Sequence, residues 1–253
     1  FIDFDDDPDL PEDAIHEAPL VNIPAEDEDA DAGADGDGDL HDAWAAGDED
    51  PNADPRWCPA GTADRLARVK SPLIRLHHEI VDFCRYLEPT ESESAARSAA
   101  VERVREAVAS IWPGARFEVH GSFATGMYLP NSDIDAVILG SGCKSPATCL
   151  KALALSLSRK GMARKIQLIA KARVPIVKFE ERPSGFQFDV SFDVANGPAS
   201  AEIVRANMRR FPALRPLTTV LKAFLQQRAL NEVYTGGVGS YALLCMVMAH
   251  LQL

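Results

Sequence analysis

Basic residues are almost missing from the first 56 positions of this 253-residue sequence, where 21 Asp and Glu stand against a single Arg56. Large apolar groups are scarce there too. Such a stretch cannot bury enough surface to offset the entropy of ordering it, so residues 1–56 are expected to be a disordered acidic tail. It reads either as a solvating tail or as an arm that contacts a basic partner or its own basic body. The balance then reverses, with 25 Lys and Arg against 17 Asp and Glu over positions 57–253. The overall charge of −12 therefore does not argue against a nucleotide or nucleic-acid partner.

Long apolar runs are also lacking. The longest unbroken one, Tyr241 to Ala249, falls well short of the ~18 residues that a membrane span requires, so no membrane partner is expected. No secretory signal is visible. Cysteines are few, at 58, 84, 143, 149 and 245; their odd number and the absence of a CxxC pair favour reduced thiols over a disulfide framework. The six histidines do not stand at zinc-ligand spacing with them. The sequence begins at Phe1 rather than Met, and an apolar helical pattern is still running at Leu253, so both ends are expected to be cuts in a longer protein.

What is present is a change of period along the chain. Ser71-Pro72 reads as a helix start, with Leu73, Ile74, His77, Ile80, Val81, Cys84 and Leu87 at helical spacing behind it. Thr90 and Glu93 form a capping-box pattern for a second helix that ends at Pro113-Gly114. Residues 117–120 and 134–139 read as strands, 146–160 as a helix, 174–179 as a strand, and 186–194 as a strict apolar/polar alternation. From residue 200 onward the pattern is helical, over 200–211, from Pro216 to about 230, and again after the Gly-rich turn 235–240.

The chemistry concentrates in Gly121-Ser122-Phe-Ala-Thr-Gly126-Met-Tyr-Leu-Pro-Asn-Ser-Asp133-Ile-Asp135. Asp133 and Asp135, two apart at a strand start, present two carboxylates to one side. Asp189 lies on the polar face of the alternating strand; if that strand pairs beside 134–139, three carboxylates converge. Such a cluster repels itself and suits a hard divalent cation, Mg²⁺ or Mn²⁺, of the kind that phosphoryl and nucleotidyl transfer use. Asp193 would lie too far along the strand to join it. Gly121-Ser122, where a strand becomes a turn and a helix, suits close approach of a phosphate.

The stretch 121–135 resembles the signature of the DNA polymerase β-type nucleotidyltransferase superfamily. Three segments, GSFATGMYLPNSDIDAVILG (121–140), DVSFDVANG (189–197) and VLKAFLQQRALNEVYTGGVGSYALLCMV (220–247), closely resemble one branch, the template-independent nuclear poly(A) RNA polymerases once called DNA polymerase sigma. The resemblance covers roughly residues 72–253. It implies an α/β palm with a mixed sheet over residues 57–199, preceding helices included, followed at 200–253 by the start of an all-helical PAP-associated domain. It further implies that Asp133, Asp135 and Asp189 bind the metal ions and that Gly121 and Ser122 contact the triphosphate. Gly197 would lie against the nucleotide sugar. Lys222 and Ser240 would reach the phosphates, and Tyr241 would stack on the base.

Unaided, these last residues have plainer readings. Lys222 falls outside the apolar stripe Leu217, Val220, Leu221, Phe224 and Leu225, so it is either a solvated lysine or one that faces a cleft. Ser240 reads as an N-cap and Tyr241 as core. Two positions depart from the family pattern: Gln226 replaces a second lysine, and Asp193 stands where relatives have Asn or Glu. The implied reaction is attack of an RNA 3′-hydroxyl on the α-phosphorus of ATP, with release of pyrophosphate, in the nucleus or nucleolus. A zinc-knuckle RNA-binding protein and an RNA helicase, as in TRAMP-type complexes, are the implied partners. The alternatives are terminal uridylyl transfer, a non-catalytic RNA-binding scaffold, and a DNA-templated repair polymerase, from which the long match at 220–247 points away. The base-recognition loop that would choose between ATP and UTP is expected beyond Leu253.

Overall fold

The structure, a computed structural model, describes residues 57–58, 61–143, 145–194 and 196–253; the acidic stretch 1–56 lies outside them. Helices α1 (Thr62–Ala67), α2 (Pro72–Tyr86) and α3 (Glu91–Ile111) come first. Strand β1 (Arg116–Val119), the short helix α4 (Gly121–Thr125), β2 (Ile134–Leu139) and α5 (Pro146–Arg159) follow. Then come β3 (Ala163–Ile169), β4 (Ile176–Glu181) and β5 (Gln187–Phe192). Helices α6 (Asn196–Arg210), α7 (Leu214–Gln227) and α8 (Ser240–Gln252) close the chain. None of the described helices is long and apolar enough to cross a membrane.

Local chemistry explains the main boundaries. Thr90 and Glu93 form the expected capping box, with Glu93 N–H donating to Thr90 Oγ1 at 3.2 Å and Thr90 N–H to Glu93 Oε2 at 2.7 Å. Pro72 opens α2, and Ser145 caps α5 just ahead of Pro146.

The five strands form one mixed sheet in the order β1-β2-β5-β4-β3, in which only β2 and β5 run parallel. One face carries the core. Ile134, Phe188 and Phe179 stand in one register row, all fully buried, and the Phe179 and Phe188 rings stack at 5.3 Å. Val104 and Val108 of α3 and Leu153 and Leu157 of α5 cover this face. Fully burying each such side chain contributes about 1.5–3 kcal/mol. A second apolar cluster joins Met127 to Val204, Leu214, Leu244 and Val247 of α6, α7 and α8.

Several expectations are corrected. Strand β3 had no counterpart in the sequence pattern, because it is a charged edge strand with a bulge between Arg164 and Gln167 that breaks the period of two. Helix α6 begins at Asn196, ahead of the expected start at 200. Helix α2 packs on α7, with the Cys84 thiol 3.7 Å from the Pro216 carbonyl; lying off the sheet, it leaves Leu73 and Ile74 exposed. In α7 the buried side chains are Leu214, Thr218, Lys222 and Ala223, while Leu221 and Phe224 face outward. The Cys143 and Cys149 sulfurs are bonded rather than reduced. Gly140 and Gly142, at φ +74° and +70°, fold the chain back so that these two Cα atoms lie 6.0 Å apart.

An ion pair between a partly exposed arginine and a fully buried carboxylate ties α3 to the sheet. Arg103 Nε and Nη2 donate to Glu181 Oε1 and Oε2 at 2.7 and 3.1 Å, and Ser184 donates its N–H and hydroxyl to the same carboxylate. Burial alone would raise the Glu181 pKa, but the Arg103 and Ser184 hydrogen bonds outweigh it and hold the group below the usual carboxylate range. A depressed pKa contributes stability above the ordinary value and loses it as pH falls. Arg103→Met is therefore expected to cost about 2–4 kcal/mol at pH 7 in urea denaturation, with a smaller cost at pH 4. Adding Glu181→Gln should recover part of the loss at pH 7.

Candidate active site

The face of the sheet opposite the core carries charge. Parallel pairing of β2 and β5 sets Asp135 opposite Asp189, and β4 sets Lys178 opposite Asp189 on the other side. Asp133, just ahead of β2, closes the group: Lys178 Nζ donates to Asp133 Oδ2 at 2.7 Å and lies 3.5 Å from Asp189 Oδ1. That Asp189 oxygen is buried and has no hydrogen-bond partner. Burial, then the neighbouring Asp133, push the Asp135 carboxyl up to about 6. Burial also pushes Asp189 to about 6; Lys178 opposes the shift, and Asp133 and Asp135 add to it.

Backbone geometry holds this cluster closed. His120 N–H donates to the Asp135 carbonyl at 2.9 Å, and the chain then turns at Gly121 with φ +61°. A Cβ on Gly121 would sit 2.0 Å from Asp135 Oδ2, so only glycine fits there. The Ser122 backbone N–H is directed at the Asp135 carboxylate. Gly197 is equally constrained, since a Cβ there would meet the His120 ring at 2.7 Å. Arg97, buried between the rings of Tyr128 and Phe186, donates to the carbonyls of Pro130 and Ser132 and so fixes the turn that delivers Asp133.

Above the row lies a cleft of about 920 Å³ walled by α4, β2, α6, α7 and α8. Gly121, Ser122, Asp133, Asp135, Gly197, Lys222, Ser240 and Tyr241 all line it, and Asp189 adjoins it beside Asp135 and Lys178. All nine residues singled out in the sequence are thus brought to one place. For three of them the plainer reading does not hold. Lys222 is buried rather than solvated: its ammonium donates to the Met127 carbonyl at 2.9 Å, and desolvation lowers its pKa to about 8 against the attraction of Asp135. Ser240 is the first residue of α8, which Gly239 precedes as N-cap, so its hydroxyl is not spent on capping. Tyr241 is 56% exposed, which excludes a core role. Gln226 faces the cleft one turn from Lys222. Asp193 accepts from Gly140 N–H at 2.8 Å and serves the turn after β2.

Lys178, Arg97 and His120 were not singled out in the sequence. Lys178 had a legible signal, a polar position between the apolar Val177 and Phe179, but its partners depend on strand order.

The donor set suits Mg²⁺ or Mn²⁺: it is all carboxylate oxygen, self-repelling, and includes a buried Asp189 oxygen whose contact with the Lys178 ammonium is a long 3.5 Å. Among the described residues no three His, Cys, Asp or Glu side chains are drawn around a common point. The Lys178 ammonium lies among the aspartates.

Residues 76–207 match the family described as "Poly(A) RNA polymerase, mitochondrial-like, central palm domain". The chain belongs to this family. It is 41% identical over 179 residues to poly(A) RNA polymerase protein 2 of Saccharomyces cerevisiae, covering 70% of the chain and 31% of that relative. It is also 41% identical over 184 residues to a Drosophila melanogaster protein named as an inactive poly(A) RNA polymerase, Trf4-2, covering 71% and 45%. The chain thus spans less than half the length of either. The solved polymerase core of TRAMP, an RNA surveillance complex, superposes with a TM-score of 0.62 at 42% identity, covering 67% of this chain and 53% of that one. The mixed five-stranded sheet with its helices is the polymerase β-like nucleotidyltransferase core.

In metal-free protein, raised carboxyl pKa values mean that the folded state holds protons the unfolded state has released. The contribution of Asp135 and Asp189 to stability is therefore expected to decrease as pH rises from about 4 through about 6, the values for free and folded carboxyls, against the opposite contribution of Glu181. Thermal melts of metal-stripped protein across that range should show the decline, and Asp189→Asn should flatten it. Gly121→Ala should lose at least about 1–2 kcal/mol from left-handed backbone alone, with further loss from displacing Asp135; the same melts measure it.

Proposed function

We propose that this chain carries the catalytic centre of a template-independent RNA 3′-adenylyltransferase, which adds AMP from ATP to an RNA end. The observation that carries the reading is the single row of Asp135 and Asp189, with Asp133 beside it, at the floor of the cleft. Asp133, Asp135 and Asp189 would hold Mg²⁺ or Mn²⁺. The bound ions would supply a more acidic 3′-hydroxyl and neutralise charge on the departing pyrophosphate.

The chain's own groups supply the remainder. Gly121 brings backbone close enough for a phosphate, and Ser122 and Ser240 offer hydroxyls to the triphosphate. Lys222, at the cleft wall near Asp135, would bring positive charge toward the phosphates. Gly197 leaves room for a sugar, and the exposed Tyr241 ring is available to stack on a base. The excess of basic residues over positions 57–253 favours an RNA strand through salt-sensitive phosphate contacts. The choice of ATP is supported by the named relatives and by the 42% identity to the TRAMP polymerase core. The same likeness supports a nuclear role with a zinc-knuckle protein and a helicase as partners. We likewise keep, as part of this reading, the division into a palm followed by the beginning of a helical PAP-associated domain.

One observation favours a second reading, a non-catalytic scaffold on the same fold: a relative of equal identity is named inactive. The three aspartates of this chain speak against it, because a scaffold gains nothing from holding carboxylates that repel one another.

The test places the chain in a polypeptide of its relatives' length and supplies Mg²⁺, a labelled single-stranded RNA and each nucleoside triphosphate separately. Extension with ATP alone is expected, reduced at least about 10³-fold by Asp133→Ala/Asp135→Ala. Extension with UTP alone would replace the substrate and keep the site. Activity retained in the double variant would remove the aspartates from the mechanism.

A further inference from the structure

Two lysines approach the aspartate row from different elements, and they do so differently. Lys222 is anchored on the Met127 carbonyl and acts on Asp135 through space. Lys178 is in direct contact: its ammonium bridges a carboxylate ahead of β2 and one on β5. The sheet builds this bridge. Lys178 is the register partner of Asp189, and its neighbours Val177 and Phe179 are fully buried on the core side, so the stem rises from a fixed base on the site's face. The head is only partly covered, with 35% of the side chain exposed, which leaves it a way out toward solvent. A lysine head is a compact charge on a flexible stem with three rotatable donors, so it can serve two carboxylates and still withdraw.

An ammonium and a divalent cation seek the same thing from Asp133 and Asp189, the lone pairs of their oxygens. They cannot both hold them fully. We infer that Lys178 is a tethered cation that neutralises Asp133 and Asp189 while the site lacks a divalent ion and competes with the incoming ion for their oxygens. The inference rests on the reading of the three aspartates as metal ligands. It accounts for why the carboxylates are not drawn around a common point among the described residues, and for why the repelling groups stay together at one end of β2 and β5.

The consequence runs against the usual effect of removing a site residue, because loss of the ammonium strengthens metal binding. The test titrates Mn²⁺ into metal-stripped chain at pH 7.5 and follows free hydrated Mn²⁺ by its paramagnetic resonance signal, with thermal melts alongside. Lys178→Met keeps the length of the stem and removes the charge. It is expected to bind Mn²⁺ about two- to fivefold more tightly than the parent, the size of effect expected from partly exposed ion pairs. Its melting temperature should rise more on Mn²⁺ addition, as tighter binding requires. Lys178→Arg, which restores a positive charge, should fall back toward the parent affinity.

Unchanged or weaker Mn²⁺ binding in Lys178→Met would overturn the inference. Asp135→Asn keeps the two possible failures apart. If it loses Mn²⁺ while Lys178→Met behaves as the parent, only the lysine's role is lost. If it binds Mn²⁺ as the parent does, the aspartate site itself is lost.

Discussion

The parallel pairing of β2 with β5 sets Asp135 directly across from Asp189, and much of the molecule answers the repulsion that follows. The same pairing makes the core. On the opposite face, one residue earlier in each strand, Ile134 meets Phe188, and Phe188 stacks on Phe179 of β4. Because strand faces alternate, a slip of one residue would drive the carboxylates into the core and the aromatics into the cleft. The hydrophobic effect on one face therefore enforces the electrostatic conflict on the other. Core and candidate site are two readings of a single register.

Once forced together, the aspartates need surroundings that admit no alternative. Gly121 supplies one restraint, since any side chain there would occupy the place of the Asp135 carboxylate. Arg97 supplies another by spending its guanidinium on the Pro130 and Ser132 carbonyls, next to Asp133 in sequence. His120 links the two sides of the cleft, with its backbone bonded to Asp135 and its ring filling the space that Gly197 leaves open. None of these residues carries the reaction, yet each removes a direction in which the carboxylates could relax.

The parts legible in the sequence were those set by local pattern. The alternation around Phe188, Val190 and Phe192 gave β5, the Thr90/Glu93 pair gave the start of α3, and the spacing of Asp133 and Asp135 gave one edge of the site. What stayed hidden depends on partners distant in the chain. The role of Lys178 exists only because β4 lies beside β5. Strand β3 hid because an edge strand answers to one neighbour and carries a bulge. The buried face of α7 was misassigned because an apolar stripe does not say which side meets a polar cleft. There Thr218 and Lys222 turn inward, and Phe224 stays out with Arg228 over its ring.

The charge balance of the row shows where stability has been given up. Asp133, Asp135 and Asp189 lie close to the ammonium groups of Lys178 and Lys222, and the Arg97 guanidinium is near enough to act on Asp133. The raised pKa values of Asp135 and Asp189 come first from burial, and the neighbouring aspartates add to them. Apolar residues in the same row would avoid both the desolvation and the repulsion, as exchanges of buried ionic groups for hydrophobic ones often do. The sheet has little structural need of them, since its main core lies on the other face. Three carboxylates at the edge of an open cleft, held by Gly121 and Arg97, are what the proposed cation site requires. This carries the functional reading further than the fold alone can.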